Sequence, residues 1–144
     1  MVTINSALVV MASLAVSLRT VNALGCYQSN AQWSMSFDKL YGYADSAAVD
    51  ADVRADISRI CNKVDGSTVA PGKSWSDCTN FDRLGPGNHI NYQIAHDGNG
   101  GDTRTMEYDI CKSAFEWEYG GCSDGSEQNH LGFWFRIDPN QGRC

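Results

Sequence analysis

Three side chains near the C-terminus have the types and the spacing to hold a polar, ring-shaped ligand. Trp134, Arg136 and Asp138 alternate within F-W-F-R-I-D, so an extended chain points all three to one side. An indole offers a broad rigid apolar surface, a guanidinium a planar fork of donors and a carboxylate paired acceptors. A second polar cluster, Asp97, Asn99 and Asp102, lies in the run D-G-N-G-G-D. It reads as a turn whose side chains and exposed amides form a rim for the same site. A flat apolar surface beside planar hydrogen-bonding groups, held still, suits an uncharged ligand rich in hydroxyls.

Other chemistries find less support in the residues. A calcium loop of the helix–loop–helix type needs glycine at its sixth position and glutamate at its twelfth, and counting from Asp97 those positions hold Asp102 and Tyr108. His89 and His96 are an odd number apart on one predicted strand, so they face opposite ways and cannot chelate one metal. No C-x-x-C pair is present, and no metal site or cofactor is expected. Ribonuclease chemistry needs an acid and a base near a phosphate, with an arginine for developing charge. His89, His96, His130, Arg136 and the glutamates supply the residue types but no positioned constellation. No carboxylate pair marks a glycosidase cleft and no nucleophile motif occurs, so the chain is read as non-catalytic.

The elements that must position these residues follow from periodicity. Val49, Val53, Ile57, Ile60 and Val64 recur at helical spacing and predict a helix over Tyr43–Val64. Asp45 or Ser46 is suited to cap its start, Gly66 its end, and Asp50–Arg54 is an i,i+4 ion pair. Alternation predicts strands over Ser74–Phe81 and His89–His96, the second with Ile90, Tyr92 and Ile94 on one face and Asn91 and Gln93 on the other. A second helix is predicted over Thr105–Tyr119, with Thr105 as cap and Gly120-Gly121 as the stop. Leu131, Phe133, Phe135 and Ile137 then mark the inward side of the clearest strand, and Asp138-Pro139-Asn140-Gln141-Gly142 reads as a tight turn after it. A short strand is expected near Cys26–Asn30. The fold class is α+β: one compact domain with a mostly antiparallel sheet flanked by two helices, one on each face, as an αβα sandwich stapled by disulfides.

Length and charge set the compartment and the partners. Ala7–Leu18 is an apolar run too short to span a bilayer, and Val21-Asn22-Ala23 has the small-residue spacing of a signal-peptidase site. Residues 1–23 are therefore expected to be a signal peptide and 24–144 a secreted, extracellular domain without membrane insertion. Cys26, Cys61, Cys78, Cys111, Cys122 and Cys144 all lie beyond that cleavage point, and an even set implies three disulfides whose pairing the sequence leaves open. Ten basic against seventeen acidic residues remain once Arg19 leaves with the leader, a net charge of −7 that disfavours nucleic acid and anionic membranes.

The run Cys61…Gly66…Pro71-Gly72…Cys78, then Cys111…Gly121-Cys122, Trp134 and Asp138-Pro139-Asn140-x-Gly142-x-Cys144, resembles a family of small secreted fungal glycan-binding proteins of the ink-cap mushroom lectin type. The resemblance implies helices on both faces of an antiparallel sheet and a homodimer in which two copies join sheets edge to edge. It implies a lectin whose partners are glycans or glycoproteins, with fucosylated, N-acetylgalactosamine-containing chains as the ligand class. It carries fold and broad function, and assigns no sugar contact residue by residue. The rival readings are a secreted host-directed effector or toxin with a protein target and, behind it, a small secreted ribonuclease. If Trp134 is not the platform, the loops around Trp75 and Trp33 stand next.

Overall fold

The computed structural model describes residues 25–27, 36–37, 40, 46–81 and 87–144. The signal-peptide region, Trp33, Asp45 and most of the first predicted strand lie outside them. Helix α1 spans Ser46–Val64. Its apolar stripe, Val49, Val53, Ile57, Ile60 and Val64, is buried throughout. Arg54 Nε donates to Asp50 across one turn at 2.9 Å. Gly66 closes the helix with φ 73°, the left-handed conformation that only glycine adopts without strain.

Among the described residues, β2 (Ser74–Phe81), β3 (Asn88–His96), β5 (Ser126–His130) and β6 (Phe133–Gln141) form one antiparallel sheet in the order β2-β3-β6-β5. Cys26 adds a single antiparallel bridge to Ser126 on the outer edge of β5. The register Tyr92↔Ile137, Ile94↔Phe135 and His96↔Phe133 puts the large apolar side chains of both central strands on one face. Helix α2 (Tyr108–Gly121) packs there through Phe115, whose ring meets Tyr92 edge-on at 5.4 Å and Phe135 at 5.2 Å. α1 lies on the same face, where Lys63 Nζ donates to Asp77 of β2 at 2.9 Å.

The fold class therefore stands as an α+β domain with a mostly antiparallel sheet and two helices, but the layering differs from the expected sandwich. Both described helices share the apolar face of the sheet, side by side, and the Cys61–Cys111 disulfide joins them with Cα atoms 5.6 Å apart. Cys61 therefore bonds to the other helix and not to the sheet. The other face carries Asn91, Gln93, Arg136 and Asp138 together with Trp134, and neither described helix packs on it. The remaining disulfides are Cys26–Cys122 and Cys78–Cys144. The last ties the C-terminal residue to β2 across 66 residues of sequence, a closure worth about 4 kcal/mol in the chain-entropy account.

Four local readings change. Thr105 does not cap α2. Arg104–Thr105 is a short strand, β4, paired with β1 (Thr68–Val69), and Met106 turns its buried side chain into the core. α2 starts at Tyr108, whose N–H donates to the carboxylate of Asp65 at 2.9 Å, a cap supplied from the end of α1. β5 was unread because S-E-Q-N-H has no apolar alternation. Leu131 is not the first inward residue of the last strand. Leu131 and Gly132 are the two-residue loop joining β5 to β6, with φ 47° and 88°, and Leu131 is 67 % exposed. Asp138–Gln141 is not a tight turn but the end of β6, paired with β3 through Asn91↔Asp138 to Asn88↔Gln141. Pro139 is tolerated because β5 ends at the Ser126↔Ile137 pair, leaving β6 with one hydrogen-bonded side.

A two-residue hairpin loop with both residues at positive φ favours Asn-Gly, and leucine in the left-handed region carries a steric cost. Leu131→Asn is expected to stabilise the fold by about 0.5–1 kcal/mol, read as a higher midpoint in urea. Unchanged or lower stability would show that Leu131 makes a packing contribution that outweighs the strain.

Glu118 of α2 is 3 % exposed. Burial pushes its carboxyl pKa above the ordinary glutamate value, and the neighbouring Ser126 hydroxyl offsets only part of that. A raised acid favours folding while it is protonated, so its contribution is intact at low pH and lost as pH rises through the raised value. Glu118→Gln is expected to raise the melting temperature by roughly 2–5 °C at neutral pH and to change it little near pH 3. Equal shifts at both pH values would overturn this account.

Candidate functional site

The face of the sheet opposite the helices is built by register. On β6, Trp134, Arg136 and Asp138 stand in a row, as the alternation predicts, and are paired across the ladder with Ala95, Gln93 and Asn91 of β3. On the other side, Glu127 of β5 pairs with Arg136 and Asn129 pairs with Trp134. The result is a rigid surface with one half-buried indole and a field of amides, carboxylates and one guanidinium.

Arg136 is the hub. Its Nη2 donates to Asp138 Oδ2 at 2.6 Å. Its guanidinium carbon lies 5.7 Å from the centroid of the Tyr27 ring, a cation–π arrangement. The Tyr27 hydroxyl donates to Glu127 Oε2 at 3.0 Å. Burial first, then the hydrogen bond to Glu127, pushes the Tyr27 phenol above its ordinary pKa, so it stays a donor at physiological pH. Burial acts to lower the Arg136 pKa, but nearby Tyr27, Asp138 and Glu127 raise it, and the charge is permanent. Nη1 of Arg136 makes no hydrogen bond among the described residues, which leaves one arm of the fork for a ligand. Asn91 Nδ2 contacts His89 Nε2 at 3.3 Å, and His89 Nδ1 lies 3.0 Å from the Gly142 carbonyl, which fixes the far end of the surface.

The loop residues predicted as a rim are organised differently. Asp97 takes the Asn99 N–H on Oδ1 at 2.8 Å, an Asx turn, and the Arg104 guanidinium at 3.1 Å. Although burial pushes the Asp97 carboxyl up, the Asn99 hydrogen bonds and the Arg104 charge hold it below the usual carboxylate range. Asn99 gives its carbonyl to Arg104 Nη2 at 2.6 Å. Asp102 contributes its backbone carbonyl to His96 Nε2 at 2.9 Å. His96 accepts the Gly98 N–H on Nδ1 at 3.1 Å, so the proton sits on Nε2 and both ring nitrogens are committed to the loop. The loop docks against the β5–β6 hairpin, with the Asp97 N–H on the Gly132 carbonyl at 3.3 Å. Gly132 is favoured by its φ of 88°, and a Cβ there would also have to push aside the Arg104 guanidinium.

The structure thus brings Trp134, Arg136 and Asp138 together and sets Asp97 beyond Ala95 at the Trp134 end of the sheet. Among the described residues no hydrogen bond or ion pair joins Asp97, Asn99 or Asp102 to that trio. Sequence reading missed Tyr27, Gln93 and Glu127 as companions of Arg136. The alternation of β3 carried a signal for Gln93, which faces away from Ile94 in any strand reading. Glu127 and Tyr27 had no such signal, since β5 is not periodic. Arg104 and His96, the organisers of the loop, were likewise invisible without tertiary contacts.

The sheet thus presents an aromatic among planar polar side chains on a disulfide-pinned frame, a surface of the kind that suits a ligand. The comparison with protein families agrees. The description of glycan binding domain Y3 matches residues 52–144, from the first turns of α1 to the C-terminal cysteine, and the chain belongs to that family. Comparison with curated proteins returned no match. Glycans are accordingly its partner class.

Removing the Arg104 charge tests the loop's electrostatics. Arg104→Met is expected to move the Asp97 carboxyl pKa upward toward the ordinary value, read by carbon-detected NMR titration. An unmoved pKa would assign the depression to Asn99 alone.

Proposed function

We propose that this protein is a secreted, non-catalytic lectin that holds a glycan against the polar face of β6, with Trp134 under the sugar ring. The observation that carries the reading is the row Trp134, Arg136, Asp138, flanked in register by Gln93 and Glu127. Trp134 supplies a rigid apolar surface for the C–H face of a sugar at little entropic cost. The free arm of Arg136, the Gln93 amide and the carboxylates of Asp138 and Glu127 supply the directional bonds to vicinal hydroxyls. Asp97 and Asn99, held by Arg104, form the outer rim and contact a longer chain beyond the first ring, with Asp102 at the loop's far end.

The resemblance to fungal lectins supports fucosylated, N-acetylgalactosamine-containing chains as the ligand. Three disulfides, and the absence of a long apolar helix among the described residues, are compatible with secretion. β2 is an edge strand, and two copies joined along it would give bivalence, which raises avidity through effective concentration.

The test is a glycan-array screen of the oxidised mature protein with Trp134→Ala and Arg136→Gln beside it. Wild type is expected to bind a narrow set of glycans. Trp134→Ala should lose roughly tenfold or more in affinity, about 1.4 kcal/mol, with an unchanged circular dichroism spectrum. Undiminished binding by both folded variants would move the site off this face. No glycan binding by folded wild type would sink the lectin reading and favour a protein-directed effector.

A further inference from the structure

A pocket of about 170 Å³ opens on the helix side of the sheet, away from the polar face, where β2 begins. Its apolar lining is Val64 from α1, Val69 from β1, Trp75 from β2, Ile94 from β3 and Met106 after β4. Val64, Ile94 and Met106 are buried, so the floor is core. The β1–β4 arm holds the mouth in place. Met106 N–H donates to the Ser67 carbonyl at 2.8 Å and Gly66 N–H to the Met106 carbonyl at 2.9 Å, which leaves little freedom to collapse. An apolar cavity of about 150 Å³ is enough to stay dry and take up benzene, so this pocket has room for one six-membered ring.

The rim is polar and its charge is one-sided. Ser67, Thr68, Lys73 and Ser74 surround the opening. The Lys73 ammonium has no ion-pair partner among the described residues. Two other cations, Lys63 and Arg104, are already paired. Lys63 sits 5.8 Å from the Trp75 ring centroid and is paired with Asp77 at 2.9 Å. Arg104 is paired with Asp97 at 3.1 Å. An uncommitted lysine at the mouth of an apolar pocket favours an anion over a cation through its local charge, against the net negative charge of the chain.

We propose that this pocket is a second binding site, for a compact apolar carboxylate, with a ring or branched hydrocarbon seated against Ile94, Met106 and Trp75 and its carboxylate at Lys73. The floor fits the hydrocarbon by size, and the mouth fits the carboxylate by charge and by the neighbouring hydroxyls. The site shares no residue with the proposed glycan surface, so either stands without the other.

The experiment is a titration of the oxidised mature protein with benzoate to about 10 mM, followed by methyl NMR, with benzamide and benzylamine as neutral and cationic isosteres. Benzoate is expected to shift the Ile94 and Met106 methyl signals saturably, with a dissociation constant in the roughly millimolar range. Val69→Phe, which fills the pocket, should abolish these shifts. Lys73→Met, at an exposed position, should weaken benzoate roughly fivefold and leave benzamide unchanged. The proposal is overturned by the absence of saturable shifts, by equal affinity for benzylamine and benzoate, or by a folded Val69→Phe that still binds. If Val69→Phe fails to fold, the Lys73→Met comparison decides alone. Glycan-array binding should be the same for Lys73→Met and wild type, which keeps this test separate from that of the lectin reading.

Discussion

The pairing of β3 with β6 organises the molecule. Nine residues of one strand oppose nine of the other, from Asn88↔Gln141 to His96↔Phe133, and no other pairing in the sheet is longer. Because side chains alternate, this one register sends Ile90, Tyr92, Ile94, Phe133, Phe135 and Ile137 toward the helices. It sends Asn91, Gln93, Trp134 and Arg136 the other way. A slip of β6 by one residue would bury the Arg136 guanidinium and expose the rings of Phe133 and Phe135. The apolar cost of that slip is what holds the polar row in place, so the core and the polar face are specified by the same constraint.

The disulfides act on what the ladder leaves loose. Cys61–Cys111 joins the two helices over the apolar face, where Phe115 already sits between Tyr92 and Phe135. Cys78–Cys144 fastens the segment after β6 to β2, across the sheet from it. Cys26–Cys122 fastens the segment carrying Tyr27 beside β5, which places an aromatic ring over Arg136. Each bond therefore positions a part of the polar face or of the core behind it.

The two faces divide the chemistry. Among the polar groups, Arg136 is shared by Asp138 and the Tyr27 ring, and Tyr27 is held by Glu127. Such a network costs little reorganisation when a hydroxyl-rich ligand replaces water, because its members are already oriented. The loop from Asp97 to Arg104 follows the same logic on a smaller scale. His96 uses both ring nitrogens and Asp97 both of its neighbours to hold a glycine-rich turn that would otherwise be disordered in shape.

Much of this was legible without a structure. The α1 stripe, the alternation of β2 and β3, and the inward aromatics of β6 follow from residue spacing alone, because burial imposes the period of each element on its side chains. The trio Trp134, Arg136 and Asp138 was legible for the same reason. The short pair β1–β4 and the polar strand β5 were not, since a two-residue strand has no period and an edge strand need not bury alternate residues. Leu131 was misread because alternation cannot tell a strand residue from a hairpin loop that happens to continue it. The six cysteines determined that disulfides form, and only proximity in the fold decided which sulfurs meet. Likewise, amphipathic spacing determined that there are two helices with apolar faces. Only the tertiary structure decided that both lie on one side, because the choice depends on which sheet face is apolar once the strands are in register.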